Sequence, residues 1–266
     1  DGKPAPYSKN NVPYKPKKFL PISIKGLKPT DYTMVMGYPG RTNRYAFSRE
    51  LQNAVDKVNP ALIELFGKRL ETMKADMDKD AAVRIRMADT YASLANSWKY
   101  YLGQNDGLKK LGVIDHKKAE EAKFTQFANS KPELAAQYGM VLSNIDKTFG
   151  DYKPYVLNNI YLNVAGYASM ASGYVMQFGP LAAALKGGNA DEIKKAADAI
   201  KADLGEHFKD YWMPTDKKVF AELLTLYATN LKDSEKPAYL QEIINTYPAA
   251  TTAASFKLCA DDVFGK

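Results

Sequence analysis

The side chains that could carry out acid–base, nucleophilic or metal chemistry are few and scattered. The sequence of 266 residues contains two histidines, His116 and His207, and one cysteine, Cys259. Both histidines have charged neighbours and are therefore predicted to be surface side chains. No Gly-x-Ser-x-Gly elbow, His-Glu-x-x-His pair or phosphate-binding glycine loop occurs. The residues alone thus indicate no self-contained active site.

Metal and cofactor sites are not predicted either. Residues 76–80 carry aspartates at alternate positions, as calcium loops do, but the glycine and closing glutamate of such loops are missing at the required spacings. This stretch is interpreted as a helix end. A single cysteine excludes an internal disulfide and a cysteine-rich zinc site, so Cys259 is predicted to be a small packing residue.

The net charge of +7 invites a nucleic-acid or membrane-surface interpretation. Most of the excess lies in residues 1–30, which hold seven lysines against the single acid Asp1. The rest is close to balanced, and neither an aromatic-basic RNA signature nor a zinc-finger spacing is present. No apolar run is long enough to span a bilayer. Because the chain starts at Asp1 in a loop-like stretch, we expect it to be a piece of a longer protein.

The N-terminal part has strand-like patterning. Residues 19–24 alternate apolar with polar or proline positions, and residues 32–36 form a second apolar run after turn residues at 26–31. Gly37-Tyr38-Pro39-Gly40 then breaks the second run with a sharply specified turn. These features predict a short β element of two strands. Two strands alone are marginal in water, so their sheet partners are expected elsewhere.

After this turn the periodicity becomes helical. The first apolar stripe consists of Leu51, Val55, Val58, Leu62, Phe66, Leu70, Met73 and Met77, at spacings of three and four. Pro60 interrupts it and predicts a kink. Further helices are predicted over 83–103, 115–129, 132–149, 191–205, 215–232, 236–246 and within 256–264. Residues 154–185 contain no charged side chain, and we interpret them as a central helix buried among others.

The stretch Met34-Val35-Met36-Gly37-Tyr38-Pro39-Gly40-Arg41-Thr42-Asn43-Arg44-Tyr45 strongly resembles the bacterial dipeptidyl-peptidase 7/11 family. The resemblance continues through residues 73–77 and 96–103, and upstream through 17–22. Members of that family are chymotrypsin-like serine peptidases with a large α-helical domain inserted into a double β-barrel. Their catalytic histidine and aspartate precede this region and their serine follows it, so the resemblance implies that this chain carries no triad and is inactive by itself.

The same resemblance assigns one site residue. Family members grip the free α-amino group of the substrate partly with an asparagine from the helical domain, and Asn96 resembles that asparagine. An ammonium group needs acceptors in fixed positions, and a helix holds an amide rigidly. A purely structural amide, bonded only to neighbouring helices, is the alternative for Asn96. The neighbouring Trp98 is interpreted as a packing residue.

These observations predict a mainly α protein: a multi-helix, bundle-like domain at 46–266, preceded at 1–45 by strands and loops of a truncated barrel. We expect the helical cap domain of an exported, periplasmic serine dipeptidyl-peptidase of a Gram-negative bacterium, with no cofactor. Its expected partners are peptides with a free N-terminus, the remaining barrel of the same polypeptide and a second copy in a homodimer. A non-catalytic helical interaction module is the first alternative, and a nucleic-acid-binding domain is the second.

Overall fold

Helices account for the regular structure in the part of the chain that the computed structural model describes, which is residues 8–34, 36–37, 40 and 43–265. The α-helices there are α1 (Ser48–Asn53), α2 (Asn59–Met77), α3 (Ala81–Lys110), α4 (Val113–Ala128), α5 (Pro132–Tyr138), α6 (Val141–Tyr161), α7 (Met170–Tyr174), α8 (Gly179–Gly187), α9 (Ala190–His207), α10 (Met213–Asn230), α11 (Ala238–Thr246) and α12 (Thr252–Val263). Two π-helical turns, Ala54–Val58 and Leu162–Gly166, and two 3-10 turns, Val175–Phe178 and Asp233–Glu235, connect some of them. The prediction of a mainly α protein is therefore correct.

The predicted β element is wrong. Contacts divide the chain into two units, Asp1–Arg44 and Tyr45–Lys266, and the described residues of the first unit form no strand. Phe19, Ile22 and Ile24 are 81%, 91% and 96% exposed. A strand is stabilised by hydrogen bonds to a neighbouring strand and by burial of one face. Since the described residues offer neither, alternating apolar positions alone do not produce a sheet.

One predicted turn in this unit is confirmed. The amide of Asp31 donates to the carbonyl of Lys28, and the amide of Lys28 donates to the Asp31 carboxylate at 2.9 Å. Thr30 adopts the left-handed conformation, with φ of 78°. The second predicted turn, at residues 37–40, includes Tyr38 and Pro39, which lie outside the described residues.

The core of the second unit is built around α10. This helix packs against α2, α12 and the π turn Leu162–Gly166, and its side chains Leu223 and Tyr227 are fully buried. The core also contains Leu65 from α2 and Phe256 from α12, both 0% exposed. Burial of several such side chains from separate helices stabilises the unit, at about 1.5–3 kcal/mol for each large side chain.

The kink predicted at Pro60 is a π-helical turn. Residues Ala54–Val58 adopt π-helical geometry between α1 and α2, immediately before Pro60 in the first turn of α2. Proline has no amide hydrogen to donate to the preceding turn. Loss of this hydrogen bond favours a local widening of the helix, and π turns occur mostly as such single-turn insertions.

Several helix boundaries differ from their prediction by two residues or more. Helix α3 continues past the exposed Gly103 to Lys110, and Asn105 in this continuation is buried. The predicted helix 132–149 is two helices, α5 and α6, which meet at Gly139 and Met140. Helix α4 starts two residues before the predicted Asp115, after Gly112 in a left-handed conformation.

The uncharged stretch 154–185 is not one buried helix, as predicted. It comprises the end of α6, a π turn, α7, a 3-10 turn and most of α8. Some of its polar groups are satisfied inside the unit: Asn158 Oδ1 accepts a 2.6 Å hydrogen bond from the Tyr227 hydroxyl. Others, including Asn163, are exposed, as are the apolar Val175 and Met176. The absence of charge thus reflects a mixture of packed and surface positions.

None of the helices within the described residues has the length and apolar character to cross a membrane.

Asp76 ties α2 to α10. Its side chain is 10% exposed and accepts hydrogen bonds from the Thr215 hydroxyl at 2.7 Å and from Lys218 Nζ at 2.7 and 2.8 Å. Asp80 caps α3 through the amides of Ala82 and Val83. Residues 76–80 therefore end one helix and begin the next, as interpreted from the sequence, and they do not form a calcium loop.

The Asp76 contact predicts a loss of stability in acid. Burial raises the pKa of Asp76, but hydrogen bonds from Lys218 and Thr215 outweigh burial and hold the pKa below its ordinary value. The contribution of the ionised Asp76 carboxylate to the free energy of unfolding is complete above the unfolded-state pKa of about 3.9. It is lost as the pH falls through the lower folded-state value.

We expect the difference in unfolding free energy between the wild type and Asp76→Asn to shrink as the pH falls below about 4. Urea titrations between pH 3 and pH 7 measure this difference. Asp78→Asn, at an exposed ion pair with Lys74, is the matched control and should change little over this range. A difference for Asp76→Asn that stays constant with pH would contradict the prediction.

Candidate substrate-binding face

Helix α3 is the element that positions Asn96, the residue to which the sequence assigns substrate binding. It is the longest helix of the described residues, with 30 residues, and it packs along α2. The Asp80 side chain accepts from the amides of Ala82 and Val83, which satisfies donors in the first turn of the helix. The face of α3 opposite α2 is thereby held on a rigid support.

Trp98 fixes the rotation of α3 on α2. Its indole Nε1 donates to the Ile63 carbonyl at 3.1 Å. A Cβ atom at Gly67 would lie 3.3 Å from the same nitrogen, so glycine at this position lets the indole approach α2 closely. The interpretation of Trp98 as a packing residue is confirmed.

Asn96 lies on the opposite side of α3. Residues two apart on an α-helix are separated by about 200° of rotation, and Trp98 faces α2, so Asn96 faces away from it. Asn96 is exposed, and its amide forms no hydrogen bond to another described residue. The alternative of an amide bonded to neighbouring helices therefore finds no support in this structure, while the substrate role of Asn96 remains a prediction.

An exposed stripe surrounds Asn96. Its members follow the spacing of one helix face: Ile85, Asp89, Ala92, Asn96, Lys99 and Gly103, all exposed. Ile85 on this stripe is 79% exposed. On the adjoining turn, the Tyr100 hydroxyl accepts from Gln104 at 2.8 Å. Next to the small residues Ala92 and Gly103, this face offers a ligand the exposed amide of Asn96.

The face cannot bind an ammonium group by itself. An ammonium has three donors, and an asparagine amide supplies one acceptor oxygen. The nearest charged side chain on the stripe, Lys99, carries the wrong sign for this ligand. Asn96 can therefore act only as one acceptor in a site that other groups complete.

The two histidines lie apart from this face and differ from each other. His116 on α4 is exposed, as predicted. His207 is only partly exposed: its ring centroid lies 4.5 Å from that of Tyr174, and its Nε2 is buried. Within the described residues, neither imidazole forms a hydrogen bond with a serine, threonine or cysteine side chain.

Metal ligation and reactive thiols are also not found in the described part of the chain. No group of three or more histidine, cysteine, aspartate or glutamate side chains there could hold a metal ion. Cys259 is buried, and its burial raises the pKa of the thiol. A thiol with a raised pKa is a poor nucleophile, so Cys259 is the packing residue that the sequence predicts.

Comparison with known proteins identifies the family. The model of the Peptidase S46 family matches residues 1–264. The chain belongs to this peptidase family. This result confirms the resemblance that the sequence motifs carry.

Particular relatives are dipeptidyl-peptidases. Dipeptidyl-peptidase 7 of Capnocytophaga gingivalis is 37% identical over 270 residues, which cover 100% of this chain and 36% of the relative. An Asp/Glu-specific dipeptidyl-peptidase of Flavobacterium psychrophilum is 37% identical over 245 residues, covering 90% of this chain and 34% of the relative. The chain therefore spans about a third of the length of these relatives.

A solved structure supports the same relationship. The crystal structure of Porphyromonas endodontalis DPP11 in complex with the dipeptide Arg-Glu aligns with 99% of this chain and 37% of its own chain, with a TM-score of 0.67 and 25% identity. The helical arrangement described above is thus similar to part of a known dipeptidyl-peptidase structure.

Proposed function

We propose that this chain is the helical cap domain of a serine dipeptidyl-peptidase that removes dipeptides from the N-termini of peptides. The domain covers the cleft, and Asn96 supplies one of the acceptors for the α-amino group of the substrate. The match to the Peptidase S46 family over residues 1–264 supports the peptidase part of the proposal. The exposed amide of Asn96, unbonded to any other described residue and held on a rigid helix, supports the binding part.

An ammonium acceptor on α3 is consistent with dipeptide release on physical grounds. If an acceptor on α3 holds the substrate ammonium, the distance from that acceptor to the nucleophile fixes how many residues lie between the amino terminus and the cleaved bond. Fixed positioning of this kind is a strong source of both rate and selectivity. The remaining ammonium acceptors and the catalytic groups come from the rest of the complete polypeptide under this proposal.

Substitution of Asn96 in the complete polypeptide tests the binding role. A hydrogen bond to a charged group contributes about 1.5–3 kcal/mol, so Asn96→Ala should lower kcat/KM for free-amine peptides by about 10- to 100-fold. Dipeptide release from a fluorogenic peptide measures this ratio. The matched control is Asn144→Ala, because Asn144 is an exposed asparagine on α6, and it should leave kcat/KM unchanged.

Acetylated peptides separate amine recognition from catalysis. The wild-type polypeptide should cleave an Nα-acetylated peptide far more slowly than its free-amine counterpart. Asn96→Ala should reduce the ratio between the kcat/KM values for the free-amine and the acetylated peptide. Equal cleavage of the two peptides by the wild type would refute amine recognition while leaving the peptidase assignment intact. No dipeptide release from any unblocked peptide would refute the peptidase assignment and favour a helical interaction module.

A further inference from the structure

Arg69 on α2 is a partly buried cation without a partner of opposite charge at ion-pairing distance in the described part of the chain. Its Nε is buried and forms no hydrogen bond to a described residue. Burial lowers the pKa of the Arg69 guanidinium, and only the charge of Asp216 opposes this effect. Buried charges in proteins are normally paired and hydrogen-bonded, because an unpaired charge loses its hydration. Among the described residues, Arg69 thus has no anion at ion-pairing distance, and its buried Nε has no acceptor.

A small cavity adjoins this guanidinium. It has a volume of about 60 Å³ and lies among α2, α3 and the start of α10, where its lining includes Arg69, Arg86, Thr90, Tyr211 and Trp212. A water molecule needs about 10–15 Å³ of such volume. The cavity therefore accommodates a few waters or one small anion, but no larger ligand.

Arg86, whose side chain is exposed, brings a second guanidinium to the cavity. Its guanidinium lies over the Trp212 ring, 5.6 Å from the centroid, and Nη1 donates to the Tyr211 carbonyl at 3.4 Å. These contacts hold the group in place and leave its charge without an ion-pair partner among the described residues. The remaining guanidinium donors are available to a ligand, since arginine carries five N–H groups.

Two acidic residues also line the cavity but do not replace the missing anion. The Asp216 carboxylate already accepts hydrogen bonds from the amides of Met170 and Ala171, at 2.7 and 3.1 Å, and from the Ser169 hydroxyl at 3.0 Å. Among the described residues, the Asp216 carboxylate oxygens and the Arg69 nitrogens form no ion pair, for which the distance would have to be 4.0 Å or less. Asp210 is exposed, as is Arg86, so solvent screens both of these charges.

We propose that this cavity binds one small monovalent anion, chloride or a carboxylate of the size of formate, with Arg69 and Arg86 as its ligands. The anion accepts from the buried Nε of Arg69 and links α2, α3 and α10 at one point. This site goes beyond the proposed peptidase function and does not depend on it.

Thermal unfolding of the protein at constant ionic strength tests the site. A ligand that binds only the folded state raises Tm, and a saturated site of this kind should raise it by about 2–4 °C. We expect a higher Tm in sodium chloride or sodium formate than in sodium gluconate, whose anion is too large for the cavity. A shift with only one of the two small anions identifies the ligand.

Substitutions link the shift to the site. Arg69→Met and Arg86→Met should each abolish the difference in Tm between small anion and gluconate, whatever their own effect on stability. The control is Arg49→Met, because Arg49 is exposed and paired with Asp146, and it should keep the difference. Two arginine variants on separate helices keep the test informative if one of them fails to fold.

Bromide locates the anion directly. Crystals grown in bromide should show an anomalous peak in the cavity beside both guanidinium groups. Equal Tm values in the three salts would overturn the proposal, as would a chloride effect that persists in both variants. A bromide peak without any salt-dependent shift would indicate an adventitious ion only and would also overturn it.

Discussion

Replacement of Asp216 by alanine is expected to lower the free energy of unfolding by about 3–5 kcal/mol, the range for breaking a buried charged network by removing one partner. The Asp216 carboxylate is 9% exposed and binds Ser169, Met170 and Ala171 at the beginning of α7. Its removal leaves a hydroxyl and two amides without their acceptor, and it withdraws the negative charge that partly offsets Arg69. Each unsatisfied buried donor costs about 1–3 kcal/mol.

Urea unfolding at neutral pH measures this loss. Asp216→Asn keeps one acceptor oxygen, so its free energy of unfolding should lie between those of the wild type and Asp216→Ala. Asp198→Ala is the control, because Asp198 forms an exposed ion pair with Lys194 one turn away on α9, and such pairs contribute about 0.3–0.5 kcal/mol. A loss for Asp216→Ala no larger than for Asp198→Ala would show that the network at α7 contributes little.

Helical periodicity predicted much of the fold because it records burial directly. The stripe on α2 could be read from spacings of three and four, and Leu62, Leu70 and Met73 on that stripe are buried in the structure. Helix ends were predicted less well. Gly103 looks like a stop signal in the sequence, yet α3 continues through it, since packing of the last turns outweighs the roughly 1 kcal/mol cost of a helical glycine.

Features that depend on distant residues could not be predicted. The alternation at Phe19–Ile24 is correct strand patterning, but a strand forms only with a partner, and the local sequence does not reveal whether one is present. Arg69 and Arg86 have no local pattern that joins them, since they lie on two helices. Only the packing of α2 and α3 brings both to one cavity.

At the candidate site too, one feature could be predicted from local sequence and another could not. The sequence placed Asn96 on a helix and beside the main apolar stripe, and the structure exposes it there. Helical geometry is sufficient for this step, because the angle between Asn96 and Trp98 is fixed by the backbone. The groups that would complete an ammonium site cannot be derived from α3 alone, since its exposed stripe offers no acidic side chain within one turn of Asn96.

The second large effect is expected at the centre of the core. Leu223 on α10 is 0% exposed and lies where α10 contacts α2, α12 and the π turn Leu162–Gly166. Leu223→Ala should lower the free energy of unfolding by about 2–5 kcal/mol, which combines lost apolar burial with the cavity left behind. The upper half of the range is expected because three elements surround the site and cannot all move inward to fill it. Urea unfolding measures the loss, and Leu185→Ala, at a leucine on α8 that is 59% exposed, provides the matched control. If the two variants unfold at the same urea concentration, α10 does not form the core of this unit.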